Sequence, residues 1–178
     1  EKRIQDNAQR NFVYLRRHMP PQLADKILEQ KIKGIYSQRE YQRYYPAGEI
    51  AAHIVGFTNV DDEGQEGIEL AFDSWLKGEP GKKQVLKNLY GDVVRDIRPL
   101  VDAVPGKNLD LSIDLRLQYL AYRELKSAIQ FHGAVSGSVV ILDAQTGQIL
   151  SLVNQPSYNP NNRVGLELGS IRNRAVTD

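Results

Sequence analysis

Residues 138–153, SVVILDAQTGQILSLV, decide the fold of this chain because two apolar runs flank a turn sequence. The runs at 139–142 and 149–153 are rich in β-branched residues, and residues 143–147 include a glycine where a turn favours positive φ. This pattern predicts an antiparallel β-hairpin. Because successive side chains of a strand point to opposite faces, neither face of the hairpin is polar. Such strands belong in the middle of a covered sheet.

The chain that follows the hairpin offers little to cover it. Only 25 residues follow Val153, and they are dominated by Asn, Pro, Arg and Gly. A helix predicted at 115–132, between the N-cap Asp114 and Gly133, offers one apolar stripe. We expect this helix to cover one face of the hairpin, and the other face to be satisfied by self-association, strand exchange or local disorder. The stripe consists of Leu117, Leu120, Ala121, Leu125, Ala128 and Ile129.

The composition describes a globular chain without a strong electrostatic bias. Its 178 residues are 41% hydrophobic, which is enough for a core, and 23 basic against 22 acidic residues give a net charge of +1. No block of like charges argues for nucleic acid as a partner. The absence of cysteine excludes disulfides and Cys-ligated metals. No apolar run approaches the ~20 residues that span a bilayer, so the chain as written is expected to be soluble.

The remaining pattern predicts an α+β fold with a first module at 1–105 and a second at 106–178. Each local prediction rests on apolar periodicity and on Pro or Gly punctuation. The predicted elements of the first module are a strand at 11–15, a helix from Pro20 to Gly34, a charged strand at 35–45, a buried helical turn at 50–55, an amphipathic helix at 67–76 and a hairpin with strands at 82–86 and 93–97 around a turn at 88–92. Residues 99–107 are interpreted as a linker and residues 108–113 as a strand.

One pair of residues has the spacing of an acyl-transfer site. Ser74 and Lys77 stand as Ser-x-x-Lys, which sets a lysine one helical turn from a nucleophilic serine, and Ser157 and Asn159 form a Ser-x-Asn. That chemistry also needs a Lys-Thr/Ser-Gly strand, which the chain lacks. We interpret Lys77 as the terminal residue of an amphipathic helix and predict no catalytic residue in this chain.

The histidines and acidic residues do not form a metal-binding pattern. His18, His53 and His132 are far apart in sequence, and His53 in an apolar stretch is interpreted as a hydrogen-bonded core residue. The acidic run 61–63 lacks the alternating ligands of a calcium loop and is interpreted as a solvated turn. We predict no metal and no cofactor.

Two boxes of the first module have an order and spacing that one family shares. The first box, RYYPAGE at 43–49, is followed by Ala-His at 52–53 and Gly-Phe at 56–57, and the second box, GQEGIE at 64–69, is followed by Phe-Asp at 72–73. Together they resemble the N-terminal module of class B penicillin-binding proteins. The residues that carry the motif are Arg43, Tyr45, Pro46, Gly48, Glu49, His53, Gly56, Gly64, Gly67, Glu69, Asp73, Gly78 and Gly81.

The second module resembles the opening of that family's transpeptidase domain. The similar stretches are 111–118, the hairpin at 137–153, NQPSYNPN at 154–161 and the terminal RNRAVTD at 172–178. Within the family, these stretches resemble the division-specific septal transpeptidases of Gram-negative rods. An earlier box of the family, Arg-Gly-x-Ile-x-Asp-Arg-Asn-Gly after a membrane anchor, is absent. The catalytic serine and lysine normally follow the Arg-Asn-Arg stretch within about a dozen residues and are also absent.

The resemblance implies a non-catalytic pedestal and interaction module of a septal peptidoglycan transpeptidase. The parent protein would be anchored in the inner membrane, face the periplasm and cross-link peptidoglycan through an acyl-serine that penicillins also acylate. Its partners would be the septal glycosyltransferase and small bitopic activators of the divisome. Arg43 with Glu49 or Glu69 could form a clamp between sub-elements.

Two other functions are compatible with the residues alone. The first is a glycan-binding module that uses Tyr36, Tyr41, Tyr44 and Tyr45 as a platform for peptidoglycan strands, against plain strand packing of these side chains. The second is an acyl-serine enzyme that uses Ser74 and Lys77.

Overall fold

The computed structural model describes residues 2–87 and 93–178. It contains two compact units, the first ending at Arg43 and the second beginning at Tyr44, and each is described by itself. Helices and antiparallel strands are both present, which confirms the predicted α+β class. The module boundary near residue 105 stays a prediction. Among the described residues, no helix combines the length and the apolar character that crossing a bilayer requires.

The first unit contains the helices α1 (Lys2–Gln5) and α2 (Pro21–Leu28). Proline stands at the first position of α2, as predicted, because its missing N–H is not needed there. The strands predicted at 11–15 and 35–45 are wrong, since neither segment forms a ladder in the described part of the chain. Side chains join the two segments instead, with the Tyr14 hydroxyl donating to Gln38 Oε1 at 3.5 Å and, just beyond the first segment, Arg17 Nε donating to Glu40 Oε1 at 2.8 Å. Apolar alternation favours a strand only where a partner strand is available.

The first half of the second unit is built from short helices. A 3₁₀ turn (Gly48–Ile50) leads into α3 (Ala52–Val55), which confirms the predicted buried helical turn. The single helix predicted at 67–76 is wrong, because the chain breaks at Phe72 into α4 (Gly67–Ala71) and α5 (Asp73–Leu76). The carboxylate of Asp73 accepts the Gly64 N–H at 2.7 Å, which ties the start of α5 to the preceding loop.

The second predicted hairpin is present as strands β1 (Lys82–Lys87) and β2 (Val93–Val101). They pair antiparallel with three register shifts, and the turn predicted at 88–92 lies outside the described residues. The linker predicted at 99–107 is wrong in its first part, because β2 continues to Val101 and Val104 pairs with Glu79. The strand predicted at 108–113 does not form a ladder.

Helix α6 (Leu115–His132) has the bounds that the sequence predicts. At its start the side chain of Asp114 accepts the Arg116 N–H at 2.8 Å, and at its end Gly133 has a left-handed φ of +62°. The predicted stripe is partly wrong, since Leu120 and Ala128 are exposed whereas the polar Gln118 is fully buried.

The hairpin predicted within residues 138–153 is confirmed as β3 (Gly137–Leu142) and β4 (Ile149–Gln155). Helix α6 covers the face that carries Val139 and Ile141, as predicted. On the other face of β3, Val140 and Leu142 remain 44% and 56% exposed, so their cover by a second copy or an exchanged strand stays a prediction.

Strand β4 is enclosed on both faces within this chain from Ser151 onward, which corrects the expectation that its second face lacks a cover. Residues 151–155 are all buried. Contacts on β4 come from α6, from α3 and from α8 (Arg174–Thr177), which follows α7 (Leu168–Ile171). This cover could not be read from the sequence, because α3 lies about a hundred residues before β4 and because no further strand-like run follows Val153. A small core of Tyr45, Ala52, Phe57 and Tyr158 lies where these parts meet.

Candidate functional site: a buried polar junction

A dense set of hydrogen bonds lies in the second unit where the first box meets the hairpin and the C-terminal residues. We call it the polar junction, and from here on the term first box includes the residues that follow RYYPAGE as far as Thr58. Most of the junction's hydrogen bonds join residues that lie 33 to 120 positions apart in sequence, so the tertiary fold and not local structure creates it. The members are Tyr45, Glu49, His53, Gln118, Ser151, Asn154, Ser157, Tyr158, Asn161, Ser170 and Asn173.

Gln118 on α6 is the central crosslink of the junction. Its Nε2 donates to the carbonyls of Ile50, at 2.7 Å, and Leu152, at 2.8 Å. Its Oε1 accepts from Ser151 Oγ at 3.0 Å and from the Leu152 N–H at 2.9 Å. All four hydrogen-bonding positions of the amide are therefore used while the side chain is 0% exposed. One side chain thus joins the first box, the long helix and β4.

The side-chain amide of Asn161 binds the backbone of Tyr45. The Tyr45 N–H donates to Asn161 Oδ1 and the Tyr45 carbonyl accepts from Asn161 Nδ2, each at 2.9 Å. The buried Tyr45 hydroxyl accepts the Thr58 N–H at 2.9 Å, which closes the first box on itself. This pairing joins the two stretches whose sequences resemble separate domains of one family.

Two further hydroxyls bind backbone carbonyls of the first box. Tyr158 donates to the Ala52 carbonyl at 3.0 Å, and Ser157 donates to the Glu49 carbonyl at 2.8 Å. Burial raises the pKa of Tyr158, and the negative charge of Glu66 raises it further. Tyr158 therefore stays a neutral donor throughout the physiological pH range.

His53 is a buried, hydrogen-bonded core residue, as predicted. Its Nε2 lies 2.8 Å from the Ser170 carbonyl, and because a carbonyl only accepts, Nε2 carries the proton. Its ring packs edge-on against Tyr158, with ring centroids 5.3 Å apart. The pKa of His53 is lowered, and burial is the largest cause. The positive charge of Arg174 lowers the pKa further, whereas the hydrogen bond to Ser170 raises it.

This lowered pKa makes the second unit less stable in mild acid. A group whose folded pKa lies below its unfolded value contributes its full stability above the unfolded pKa and loses it as pH falls through the folded pKa. For His53 the loss therefore begins near pH 6.5 and grows below it, by about 1.4 kcal/mol for each pH unit between the two pKa values. We expect urea unfolding at pH 7.5, 6.5 and 5.5 to show this decline.

The control is a His53→Gln chain measured at the same pH values. We expect its free energy of unfolding to be lower at pH 7.5 but to change less between pH 7.5 and 5.5, because glutamine does not titrate. His18→Gln and His132→Gln in both chains remove the other histidines. Parallel pH curves for the two chains would show that His53 is not responsible.

Asn154 and Asn173 connect the hairpin to the C-terminal residues. Asn154 Oδ1 accepts from Ser138 Oγ at 2.6 Å and from the Ala175 N–H at 2.8 Å, and its Nδ2 donates to Asn173 Oδ1 at 2.9 Å. Asn173 Nδ2 in turn makes a longer contact, 3.4 Å, with the His53 carbonyl. The C-terminal helix α8 is thereby fixed to the sheet and to the first box.

Glu49, which the sequence analysis assigned to a possible clamp, binds a tyrosine of α6. Tyr122 donates to Glu49 Oε2 at 2.6 Å, and Lys126 Nζ lies 3.4 Å from the same hydroxyl. Burial and the bond to Glu49 raise the pKa of Tyr122. Glu69 is buried within α4. The clamp with Arg43 stays a prediction.

The motif glycines lie where another backbone approaches closely. Gly56 and Gly67 both have positive φ, and a Cβ on Gly56 would lie 1.7 Å from the Glu66 carbonyl oxygen. A Cβ on Gly64 would lie 2.0 Å from the Glu69 carbonyl oxygen. Similar contacts below 3.0 Å surround Gly78 and Gly81, whereas Gly48 has positive φ in open space beside the exposed Pro46. These glycines shape the box, and no side-chain chemistry is assigned to them.

Apart from Tyr45 and Ser157, the residues of the other hypotheses are not members of the junction. Ser74 is exposed on α5, and Lys77 follows that helix in extended conformation; the two form no hydrogen bond in the described structure. Among the residues described, no group of His, Asp and Glu could hold a metal ion. Tyr36, Tyr41 and Tyr44 are 72–75% exposed, but Tyr45 is buried, so the four-tyrosine platform is wrong in that member.

Sequence reasoning missed the junction's principal polar residues. Gln118, Asn154 and Asn161 received no role, although Gln118 follows Leu117 on the apolar side of an amphipathic helix. A polar residue on such a stripe is a usable signal, because burial requires that it be satisfied. Asn154 and Asn161 lie in polar surroundings that resemble any loop, and their burial could not be read from the pattern.

Comparison with protein families accounts for both sides of the junction. The family model "Penicillin-binding Protein dimerisation domain" matches residues 1–111, and the "Penicillin binding protein transpeptidase domain" matches residues 137–178. The chain belongs to the penicillin-binding proteins. The junction therefore joins Tyr45 and His53 of the first match to Asn161 and Ser170 of the second.

Curated relatives agree with this assignment within the penicillin-binding proteins. The chain is 49% identical over 176 residues to the peptidoglycan D,D-transpeptidase FtsI of Escherichia coli, covering 99% of this chain and 30% of the relative. It is 42% identical over 175 residues to the probable peptidoglycan D,D-transpeptidase PbpC of Pseudomonas aeruginosa, covering 98% of this chain and 31% of that protein. The chain thus spans about 30% of the length of these relatives.

Solved structures of penicillin-binding proteins share the fold. Penicillin binding protein 3 of Mycobacterium tuberculosis superposes with a TM-score of 0.58 at 30% identity, over 72% of this chain and 25% of that chain. Penicillin Binding Protein 2X of Streptococcus thermophilus superposes with a TM-score of 0.59 at 24% identity, over 79% of this chain and 22% of that chain, and supports the fold alone.

Proposed function

We propose that this chain is the non-catalytic pedestal region, with the opening of the transpeptidase domain, of a septal peptidoglycan D,D-transpeptidase. The observation that carries the proposal is the polar junction, in which the first box is bonded to the hairpin and to the C-terminal residues. A pedestal must hold the domain that it supports in a fixed orientation, and the hydrogen bonds of the junction would do so. The similarity to FtsI of Escherichia coli supports the septal assignment.

The chemistry of the parent protein is cross-linking of peptidoglycan stem peptides through an acyl-serine. A serine hydroxyl attacks the carbonyl of the terminal D-Ala-D-Ala bond, the leaving D-Ala takes the proton, and an amine of a second stem peptide then accepts the acyl group. The exposed Ser74 and the lysine beyond its helix supply neither a paired base nor an enclosed site. The residues described here act by positioning, and the acylating serine belongs to another part of the parent.

A fluorescent penicillin tests this division of roles. We expect the 178-residue chain to retain no label after denaturing electrophoresis. A longer parent chain that includes the Ser-x-x-Lys that the family resemblance implies is expected to be labelled stoichiometrically. A Ser74→Ala version of the short chain is the matched control. Label on the short chain that Ser74→Ala removes would contradict the proposal and revive the acyl-serine hypothesis, and an unlabelled longer chain would contradict the transpeptidase assignment.

The partner and location parts of the proposal have a separate measurement. The parent is proposed to lie at the periplasmic face of the inner membrane and to bind the septal glycosyltransferase and bitopic activators through this region. Biolayer interferometry of the chain against the purified periplasmic parts of these proteins is expected to show saturable binding. Binding to purified peptidoglycan instead, lost in Tyr36→Ala and Tyr41→Ala, would support the glycan-binding alternative.

A further inference from the structure

We propose that Asn173, held by Asn154 from β4 and by His53 from the first box, is a positioning residue that couples the junction to the C-terminal helix α8. The inference rests on the proposed function, because the family resemblance places the acylating serine shortly after this helix. The inference assigns a role to Asn154 and Asn173. Neither residue belongs to the two motif boxes, and neither takes part in the acylation reaction with penicillin.

Asn154 is built into the sheet and is unavailable to solvent. It is 1% exposed and lies opposite Ser138 in the antiparallel register of β3 and β4. Its amide uses one oxygen for Ser138 and for the Ala175 N–H, and its nitrogen for Asn173. Because β4 is enclosed on both faces, the position of Asn154 is set by the fold and not by a mobile loop.

Asn173 is the residue from which α8 begins. Its backbone carbonyl accepts the N–H groups of Val176 and Thr177, each at 3.0 Å. Its side chain spans from Asn154 to the His53 carbonyl, at 2.9 Å and 3.4 Å. A displacement of either anchor therefore moves the first turn of the helix directly.

The first box reaches the same residues by a second bond. The ring of His53 donates to the Ser170 carbonyl at 2.8 Å, three residues before Asn173. His53 thus holds residues 170–173 through both its side chain and its backbone. Movement of α3, which carries His53, would therefore reach residues 170–173 through two direct contacts.

The polar nature of these contacts distinguishes positioning from simple packing. Apolar side chains could hold α8 against the sheet but would allow it to slide, whereas amide hydrogen bonds specify donor, acceptor and direction. A misplacement of about 1 Å far from the reacting atoms can slow an enzyme by about 10²-fold. The expected consequence of losing Asn173 is a slower chemical step with little change in ligand affinity.

The test uses the longer parent chain and a fluorescent penicillin as the probe. Acylation is followed over a range of penicillin concentrations, which separates the maximal rate constant from the half-saturating concentration. We expect Asn173→Ala to lower the maximal rate constant about 10- to 100-fold and to change the half-saturating concentration less than about twofold. Asn154→Ala is expected to act alike, and the double variant to be no slower than the slower single variant, because the two residues act as one unit.

Asn59→Ala is the matched control. Asn59 makes three side-chain hydrogen bonds, to Asp61 and Glu63, where Asn173 makes two, and none of those of Asn59 reaches α8. We expect its thermal midpoint to fall as in Asn173→Ala while its acylation stays at the parent rate. If Asn173→Ala does not accumulate as folded protein, Asn173→Ser replaces it, because a serine hydroxyl is too short to reach both anchors.

The outcomes separate the inference from the proposed function. An unaltered longer chain that takes up no penicillin overturns the proposed function, and the inference with it. A labelled parent whose Asn173→Ala variant reacts at the parent rate overturns the inference alone. Equal slowing in Asn59→Ala and Asn173→Ala also overturns it, since general loss of stability would then explain both.

Discussion

Replacement of Gln118 by leucine is expected to lower the free energy of unfolding of the second unit by about 3–5 kcal/mol. Leucine has a similar volume, so the loss arises from unsatisfied polar groups and not from a cavity. The Leu152 N–H, the carbonyls of Ile50 and Leu152, and the Ser151 hydroxyl would all lose their partner. An unsatisfied buried group costs about 1–3 kcal/mol, and partial rearrangement reduces the sum.

Urea unfolding followed by tryptophan fluorescence measures this loss, because Trp75 is the single tryptophan of the chain and lies in the second unit. Gln130→Leu is the matched control, an exposed glutamine on the same helix that is expected to change stability by less than about 0.5 kcal/mol. Gln118→Glu separates the donors from the acceptor, since a carboxylate cannot donate to the two carbonyls. A Gln118→Leu chain that unfolds within about 1 kcal/mol of the unaltered chain would show that the junction does not hold the unit together.

Gly56→Ala is expected to be at least as damaging, with a loss of about 4 kcal/mol or more, or no folded second unit. Gly56 has φ +77° and ψ −151°, a region that essentially only glycine occupies. A Cβ there would also lie 1.7 Å from the Glu66 carbonyl oxygen, and that oxygen belongs to backbone that cannot rotate away. The α3 segment would have to separate from the second box.

Gly147→Ala separates the backbone strain of Gly56 from its steric clash. Gly147 has a comparable φ of +73° in the turn between β3 and β4, but nothing lies within 4 Å of the position that its Cβ would occupy. We expect Gly147→Ala to cost about 1–2 kcal/mol, the cost of the left-handed conformation alone. The same urea titration compares the two. Similar losses in both variants would mean that the contact between the two boxes contributes nothing.

Elements with signals at both ends could be predicted from the sequence. Helix α6 begins and ends where Asp114 and Gly133 place it, because a cap acts on backbone groups of the adjacent turn. The hairpin of β3 and β4 was equally predictable, since its turn brings the two strands together without help from the rest of the chain.

Strands and helices that depend on distant partners could not be predicted in this way. Residues 11–15 and 35–45 have strand-like composition but form no ladder in the described structure, because β-propensity reflects packing against a neighbour. The helical stripe at 67–76 breaks at Phe72, where the bond between Asp73 and Gly64 competes with a continuous helix.

The sequence by itself determined the capped helix α6, the hairpin of β3 and β4, the glycine-bearing boxes and the family to which they belong. The tertiary structure alone decided which polar side chains meet. Tyr45 and Asn161 lie 116 positions apart and His53 and Ser170 lie 117 apart, so no local pattern relates one to the other. Their pairing follows from burial: once α6 and α3 pack on β4, an amide, hydroxyl or carbonyl trapped there without a partner is costly, and most of these groups are paired.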